Sequence, residues 1–361
     1  MIGLLIAAAV AAYPAPAHAA IALDDAAGLR AFLDAAGAYA RSVSSAEVGR
    51  QLREQVGLDP LTLTGPRTIV FAPHAVGMVT ALDAATAKAT LAVWKRPTRI
   101  GLVSKGKLYT ASGKDAQALL KALQKPRALE KRLQTKGPVS LWFSLAPPLQ
   151  SAGFALEASA QGIELHGLVT ASKPILQGQA PGPCEGAPMG CATASLGPAG
   201  RELMMRALVM LGRPAPRGDA SGATRVAGRL DSVDTAALSG PRSLPSAMRY
   251  AFVFEWPGAA ADNCRTPQGL FALSNPPCSP LPKLDGSSPA ADLSLDLAKL
   301  DDATASLTAL DALKGEYAAG AFGIHLIYGE LLRHLGPLTL HAEPSKNAAA
   351  AAELSLHLPL H

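Results

Sequence analysis

At 361 residues, with 49% of them apolar and 17% charged, the chain is longer than one core usually fills and too apolar to remain disordered. Its 33 glycines and 29 prolines enrich it in turns yet fall short of a collagenous or low-complexity composition. The formal net charge of +5 is unevenly spread, and two domains, or one duplicated domain, are the expectation.

The N-terminus, MIGLLIAAAVAAYPAPAHAA, holds an apolar run from Ile2 to Ala12, a break at Pro14 and Pro16, and Ala17-His18-Ala19 as a small-x-small cleavage site. Residues 1–19 therefore read as an export signal cut after Ala19, although no Lys or Arg precedes the run. The run is too short to span a bilayer, and IHLIYGELLRHL is interrupted by Glu330 and Arg333, so no transmembrane segment is expected after signal removal. The mature chain is expected in the periplasm or outside the cell.

Residues 20–171 form the first half. Leu29, Phe32, Leu33 and Ala36 mark one helical stripe. Val48, Leu52 and Val56 mark a second, opened by a Ser44/Glu47 capping box and closed near Gly57. Strand-like runs follow: RTIVFAP, VGMVTAL, ATLAVW, and RIGLVSKGKLYTAS, the last a hairpin turning at Lys105-Gly106. A helix from about Lys114 to Gln124 points Leu119, Leu120 and Leu123 inward; VSLWFSLAP and the alternating hairpin FALEASAQGIELHGLV close the half.

Residues 172–200, SKPILQGQAPGPCEGAPMGCATASLGPAG, are rich in Gly and Pro without hydrophobic periodicity and read as a disulfide-stapled linker. The second half, 201–361, repeats the cadence. A helix near Glu202–Leu211 precedes RVAGRLDSV, MRYAFVFEW, GLFALS and ADLSLDLAKL; a long helical pattern runs from about Ala318 to Leu335, and an alternating hairpin ends the chain. The fold class expected is α+β, two loosely repeated halves, each an antiparallel sheet with helices packed on one face.

Export changes the meaning of the four cysteines, Cys184, Cys191, Cys264 and Cys278. An even count in an oxidising compartment reads as two disulfides. The spacing fits neither a zinc site nor a C-x-x-C redox motif. Pairing of sequence neighbours, Cys184 with Cys191 and Cys264 with Cys278, would staple segments with little apolar content, at about 2.5 and 3 kcal/mol by the chain-entropy model; the crossed pairings remain open.

Signals for catalysis are weak. Ser104-x-x-Lys107 matches an acyl-enzyme pattern but falls on a predicted hairpin turn, where the two residues do not stack as on a helix. No nucleophile elbow, P-loop, zincin or calcium-loop pattern occurs, so no catalytic residue, metal or cofactor is assigned. His166, His341 and His357 fall on the polar phase of their strands, and Glu330 with His334 reads as a surface i,i+4 pair.

Two features point to binding. Tyr250, Phe252, Phe254 and Trp256 share one face of a strand and are candidates for an apolar pocket, or else core. From Lys88 to Lys136, 13 Lys or Arg stand against Asp115 and Glu130, and Lys95, Arg96, Arg99, Lys105 and Lys107 are candidate contacts to an anionic surface. Export argues against nucleic acid as the target. The reading is a non-catalytic exported protein binding an anionic or hydrophobic ligand: a lipid, a cell-wall polymer or an envelope protein. The alternatives are a hydrolase whose site assembles only in three dimensions, and a structural or adaptor protein.

Overall fold

The computed structural model describes residues 19–94, 98–125, 137–182, 188–210, 224–234, 237, 244–256, 266–288, 291–305 and 316–361. The chain divides into two units, Met1–Val169 and Thr170–His361, and its architecture is mixed α+β with antiparallel pairing.

Unit 1 is organised around β1 (Ala19–Leu23), a run of apolar residues in which Ala19 and Ala20 are fully buried. It lies between β2 (Arg67–Ala72) and β6 (Val139–Ser144), antiparallel to both, with Ile21 opposite Ile69 and Leu141. The other strands are β3 (Ala75–Ala81), β4 (Arg99–Ser104), β5 (Lys107–Gly113), β7 (Leu149–Ser159) and β8 (Gly162–Ala171), and the order is β8-β7-β6-β1-β2-β3-β5-β4. Because β1 starts at Ala19, cleavage after that residue would leave Ala20–Leu23 of the strand.

Helices α1 (Ala27–Gly37), α2 (Ser45–Val56), α3 (Ala84–Trp94) and α4 (Ala116–Leu123) complete the unit. They cover both faces of its sheet, which corrects the expectation of one covered face. Alternation along β5 separates the two sides. Tyr109 and Ala111 pack in a cluster with Leu119, Leu120 and Leu123 of α4. Thr110 and Ser112, pointing the other way, donate from their hydroxyls to the carbonyls of Val56 and Gln55 at the end of α2, both at 2.6 Å. Those carbonyls have no intrahelical partner, so the sheet itself caps the helix. Leu108 through Ser112 are all buried, as a strand covered on both sides requires.

The starts and stops of these elements follow local chemistry. Ser44 accepts from the Glu47 amide at the head of α2, and Gly57 closes it at φ 92°, a left-handed conformation that favours glycine. ATLAVW is the end of α3 and not a strand: the Asp83 carboxylate accepts from the amides of Ala85 and Thr86 at 3.0 and 2.9 Å, and that cap sets a helical phase through the β-branched residues. Lys105 and Gly106 turn the β4–β5 hairpin at φ 51° and 71°, the type I′ signature that matches strand twist.

Unit 2 has strands β9 (Gly190–Leu196), β10 (Thr224–Val233), β11 (Met248–Glu255), β12 (Leu270–Asn275), β13 (Ala291–Leu295), β14 (Leu338–Pro344) and β15 (Ala351–Pro359), in the order β12-β11-β10-β9-β13-β14-β15. Its helices are α5 (Pro198–Met210), α6 (Leu244–Ala247), α7 (Leu297–Ala305) and α8 (Glu316–His334). The segment expected as a linker supplies β9, the strand between β10 and β13. Up to its last residue, Leu196, its side chains are small (Gly, Cys, Ala, Thr, Ser), so its alternation is lost among neighbouring prolines and glycines. ADLSLDLAKL is likewise strand, then helix: the Asp296 carboxylate accepts from the Lys299 amide at 3.0 Å, ending β13 and opening α7.

One polar contact in unit 1 offers a direct energetic test. Thr110 is fully buried, so Thr110→Val keeps the shape and leaves the Val56 carbonyl without the hydroxyl donor. Urea unfolding is expected to show a loss of about 1–2 kcal/mol; an unchanged midpoint would remove the sheet-to-helix cap from the account.

Candidate functional site

The register of unit 2 places one apolar residue from every strand in a single row across the sheet. Leu273 stands opposite Phe252, Phe252 opposite Gly228, Gly228 opposite Ala192, Ala192 opposite Leu293, Leu293 opposite Leu340, and Leu340 opposite Leu356. Directly paired residues point to the same face, so seven strands present one continuous apolar line. A Cβ at position 228 would overlap the Phe252 ring; the ring therefore lies over the glycine. Leu293 is 39% exposed, and Phe252, Leu273, Ala192, Leu340 and Leu356 are half-buried. Bulky side chains at both ends flank small ones at the centre.

The four aromatic candidates divide on this face. Tyr250, Phe254 and Trp256 are buried, with Phe254 6.0 Å from Phe271 between ring centroids and Trp256 packed on Met204, Met205 and Phe271. These three serve as core. Phe252, stacked 6.4 Å from Phe254, is the member on the half-open row.

The opposite face of the sheet is polar at β13–β14. His341 stands opposite Asp292, with its Nδ1 2.8 Å from the Asp292 carboxylate and its Nε2 3.2 Å from that of Glu343. When the ring is protonated, each of its nitrogens can donate to one of these ionised carboxylates. The Asp292 hydrogen bond, the largest cause, pushes the His341 pKa above the usual histidine value, with Glu343 adding to it. Between α7 and α8, fully buried Asp301 accepts from His325 Nδ1 at 2.8 Å and faces Arg333 Nε at 3.0 Å. A carboxylate–imidazole pair is two-thirds of a hydrolytic triad, but no described hydroxyl or thiol is hydrogen-bonded to the other nitrogen of His325. With Arg333 on its second oxygen, the cluster joins two helices. Neither cluster was legible as a site: Asp301 lies 24 residues from His325, and Asp292 lies 49 from His341. Among the described residues no group of three His, Cys, Asp or Glu side chains is placed to hold a metal ion.

The basic candidates lie in unit 1. Arg99 stands at the start of β4 with its guanidinium 4.8 Å over the ring of Trp94. Lys105, in the turn, and Lys107, at the start of β5, are exposed. Ser104 and Lys107 pair across the hairpin, so they do not stack as an acyl-enzyme pair. Lys95 and Arg96 lie outside the described residues, as do Cys184 and Cys264. Cys191 and Cys278 are each disulfide-bonded, and no described cysteine is free. No described helix is long and apolar enough to cross a membrane.

No protein-family model matches the sequence, and no characterised protein matches it. Among solved structures the chain is similar to TP0453: in crystal form I at 11% identity and TM-score 0.27, over 47% of this chain and 80% of that one. In crystal form III the values are 10% and 0.27, over 46% and 83%. At this level the likeness carries no argument about function.

His341 gives a pH-dependent expectation. Its folded-state pKa is raised, so its contribution is complete below the unfolded value, near 6.5, and is lost as pH rises through the higher folded value. Wild type is therefore expected to gain stability over His341→Asn at pH 5–6 and to lose that gain above neutrality, by thermal melts across pH. A difference that grows with pH would contradict the raised pKa.

Proposed function

We propose that the chain is an exported, non-catalytic binding protein of the cell envelope or extracellular space that holds a hydrophobic ligand against the half-open apolar face of its second sheet. The observation that carries this reading is the registered row Leu273–Phe252–Gly228–Ala192–Leu293–Leu340–Leu356. Water against such a row is costly, and covering one leucine fully is worth about 1.5–3 kcal/mol. An acyl chain or similar apolar molecule matches the row in shape and chemistry, which favours a lipid over a cell-wall polymer. The apolar N-terminal run with its small-x-small end supports export, and oxidised Cys191 and Cys278 accord with an oxidising compartment. Within that reading the cysteines pair with their sequence neighbours, Cys184 with Cys191 and Cys264 with Cys278.

We further infer that the two units repeat one arrangement. In each, the first strand takes a middle place: β1 lies between β2 and β6, and β9 between β10 and β13. Early strands then spread to one side, and the last three of the unit to the other. A second functional reading, contact of unit 1 with an anionic surface, is supported by the exposed Lys105 and Lys107 at the turn of the β4–β5 hairpin, with Arg99 at its other end.

Protein purified natively from the exported fraction is expected to release an apolar molecule into organic solvent, identified by mass spectrometry. The double variant Leu293→Gln with Leu340→Gln, both at positions already open to water, should retain less than about a tenth of it while melting as wild type does. Equal retention by the variant, or an extract without an apolar molecule, would contradict the proposal.

A further inference from the structure

The open edge of unit 1 has the geometry and charge of a strand-accepting site. β4 ends the strand order of the unit, and no described strand pairs with its outer side. Its hairpin with β5 closes over two residues, so Ser104 and Lys107 form the first hydrogen-bonded pair, and the pattern alternates from there. The Gly113 amide donates to the Thr98 carbonyl at 3.0 Å, which fixes the same phase at the far end. Ile100, Leu102 and Ser104 therefore turn their backbone groups to β5. Arg99, Gly101 and Val103 turn theirs outward.

Protein edges are commonly guarded by proline, a bulge or an inward charge. β4 has none of these: the register runs unbroken from Arg99–Ser112 to Ser104–Lys107, and the strand reads RIGLVS. Val103 is 39% exposed. Cations instead flank the edge. Arg99 and Lys107 point to opposite faces of the sheet by alternation, and Lys105 occupies the tip.

We propose that β4 binds an extended acidic segment of a partner protein, which adds to the sheet as a further strand through the N–H and C=O groups of Arg99, Gly101 and Val103. Main-chain bonds supply the affinity in this mode, and flanking side chains select the sequence. Carboxylates on either face of the added strand meet a cation. The same charges disfavour a second copy of this chain: antiparallel pairing about Gly101 sets Arg99 opposite Val103 of the other copy, two residues from its Lys105, and like charges at that range repel. The inference is independent of the apolar ligand of unit 2.

The test uses the full chain and a short synthetic peptide alternating Glu and Val, with a Lys–Val peptide as its opposite. Amide exchange at Arg99, Gly101 and Val103 is expected to slow about tenfold or more with the Glu–Val peptide, while Ile100 and Leu102 are already slow without it. Val103→Pro removes an outward amide and spares the ladder, and should weaken peptide binding about tenfold or more. Lys105→Glu with Lys107→Glu should do so too, without touching the backbone. Unchanged exchange at the three outward amides would overturn the proposal, as would equal binding of the Lys–Val peptide or of both variants. So would protection of those amides that rises with protein concentration alone, or that anionic phospholipid vesicles reproduce without peptide.

Discussion

Antiparallel register is the constraint on which unit 2 depends. Side chains alternate between faces with period two, so a shift of one residue exchanges the entire set on a strand. In the observed register β9 delivers Ala192 to the apolar row and Cys191 and Thr193 to the other face, while β13 delivers Leu293 to one and Asp292 to the other. A slip of β13 would set a carboxylate among leucines and break the Asp292–His341 pair, and a slip of β9 would bring Cys191 or Thr193 into the row in place of Ala192. The buried polar cost of that alternative makes the register specific, and the apolar row and the His341 cluster are two outcomes of one pairing scheme.

Unit 1 resolves the same problem differently. Helices pack on both faces of its sheet, and the hydroxyls of Thr110 and Ser112 are used to finish α2. Its Arg67 is buried and donates to the carbonyls of Pro60 and Gly65 at 2.6 and 2.8 Å, fixing the loop that enters β2. What the unit offers to a partner is an edge and its cations. The second unit offers a face. Under the two proposals, apolar and acidic chemistry would be met by separate surfaces.

Much of the local structure was legible because its cause was local. Ser44 with Glu47, Gly57, the Lys105-Gly106 turn and the leucines of α4 each announce an element within a few residues. ATLAVW and the expected linker were misread where a stronger local or tertiary cause competed, and β1 was not foreseen. ATLAVW has strand-like composition, but Asp83 caps a helix through it; β1 lies at the expected cleavage site, where apolar alanines read as signal; β9 is built from residues too small to show alternation among glycines and prolines. The apolar row was illegible for another reason. Its seven members are spread from Ala192 to Leu356, and only strand pairing brings them into line. The Tyr250–Trp256 stripe was visible by its period, yet period alone does not tell core from pocket, and three of its four rings proved to be core.

Photolabelling addresses the central claim, that the apolar row is a ligand surface, most directly. A diazirine-bearing fatty acid, activated on the folded protein and mapped by peptide mass spectrometry, is expected to mark Phe252, Leu293, Leu340 and Leu356 on their separate strands and to spare Thr193, His341 and His357 on the opposite face. Labels on one strand only, on the polar face, or at positions unchanged after unfolding would contradict the account.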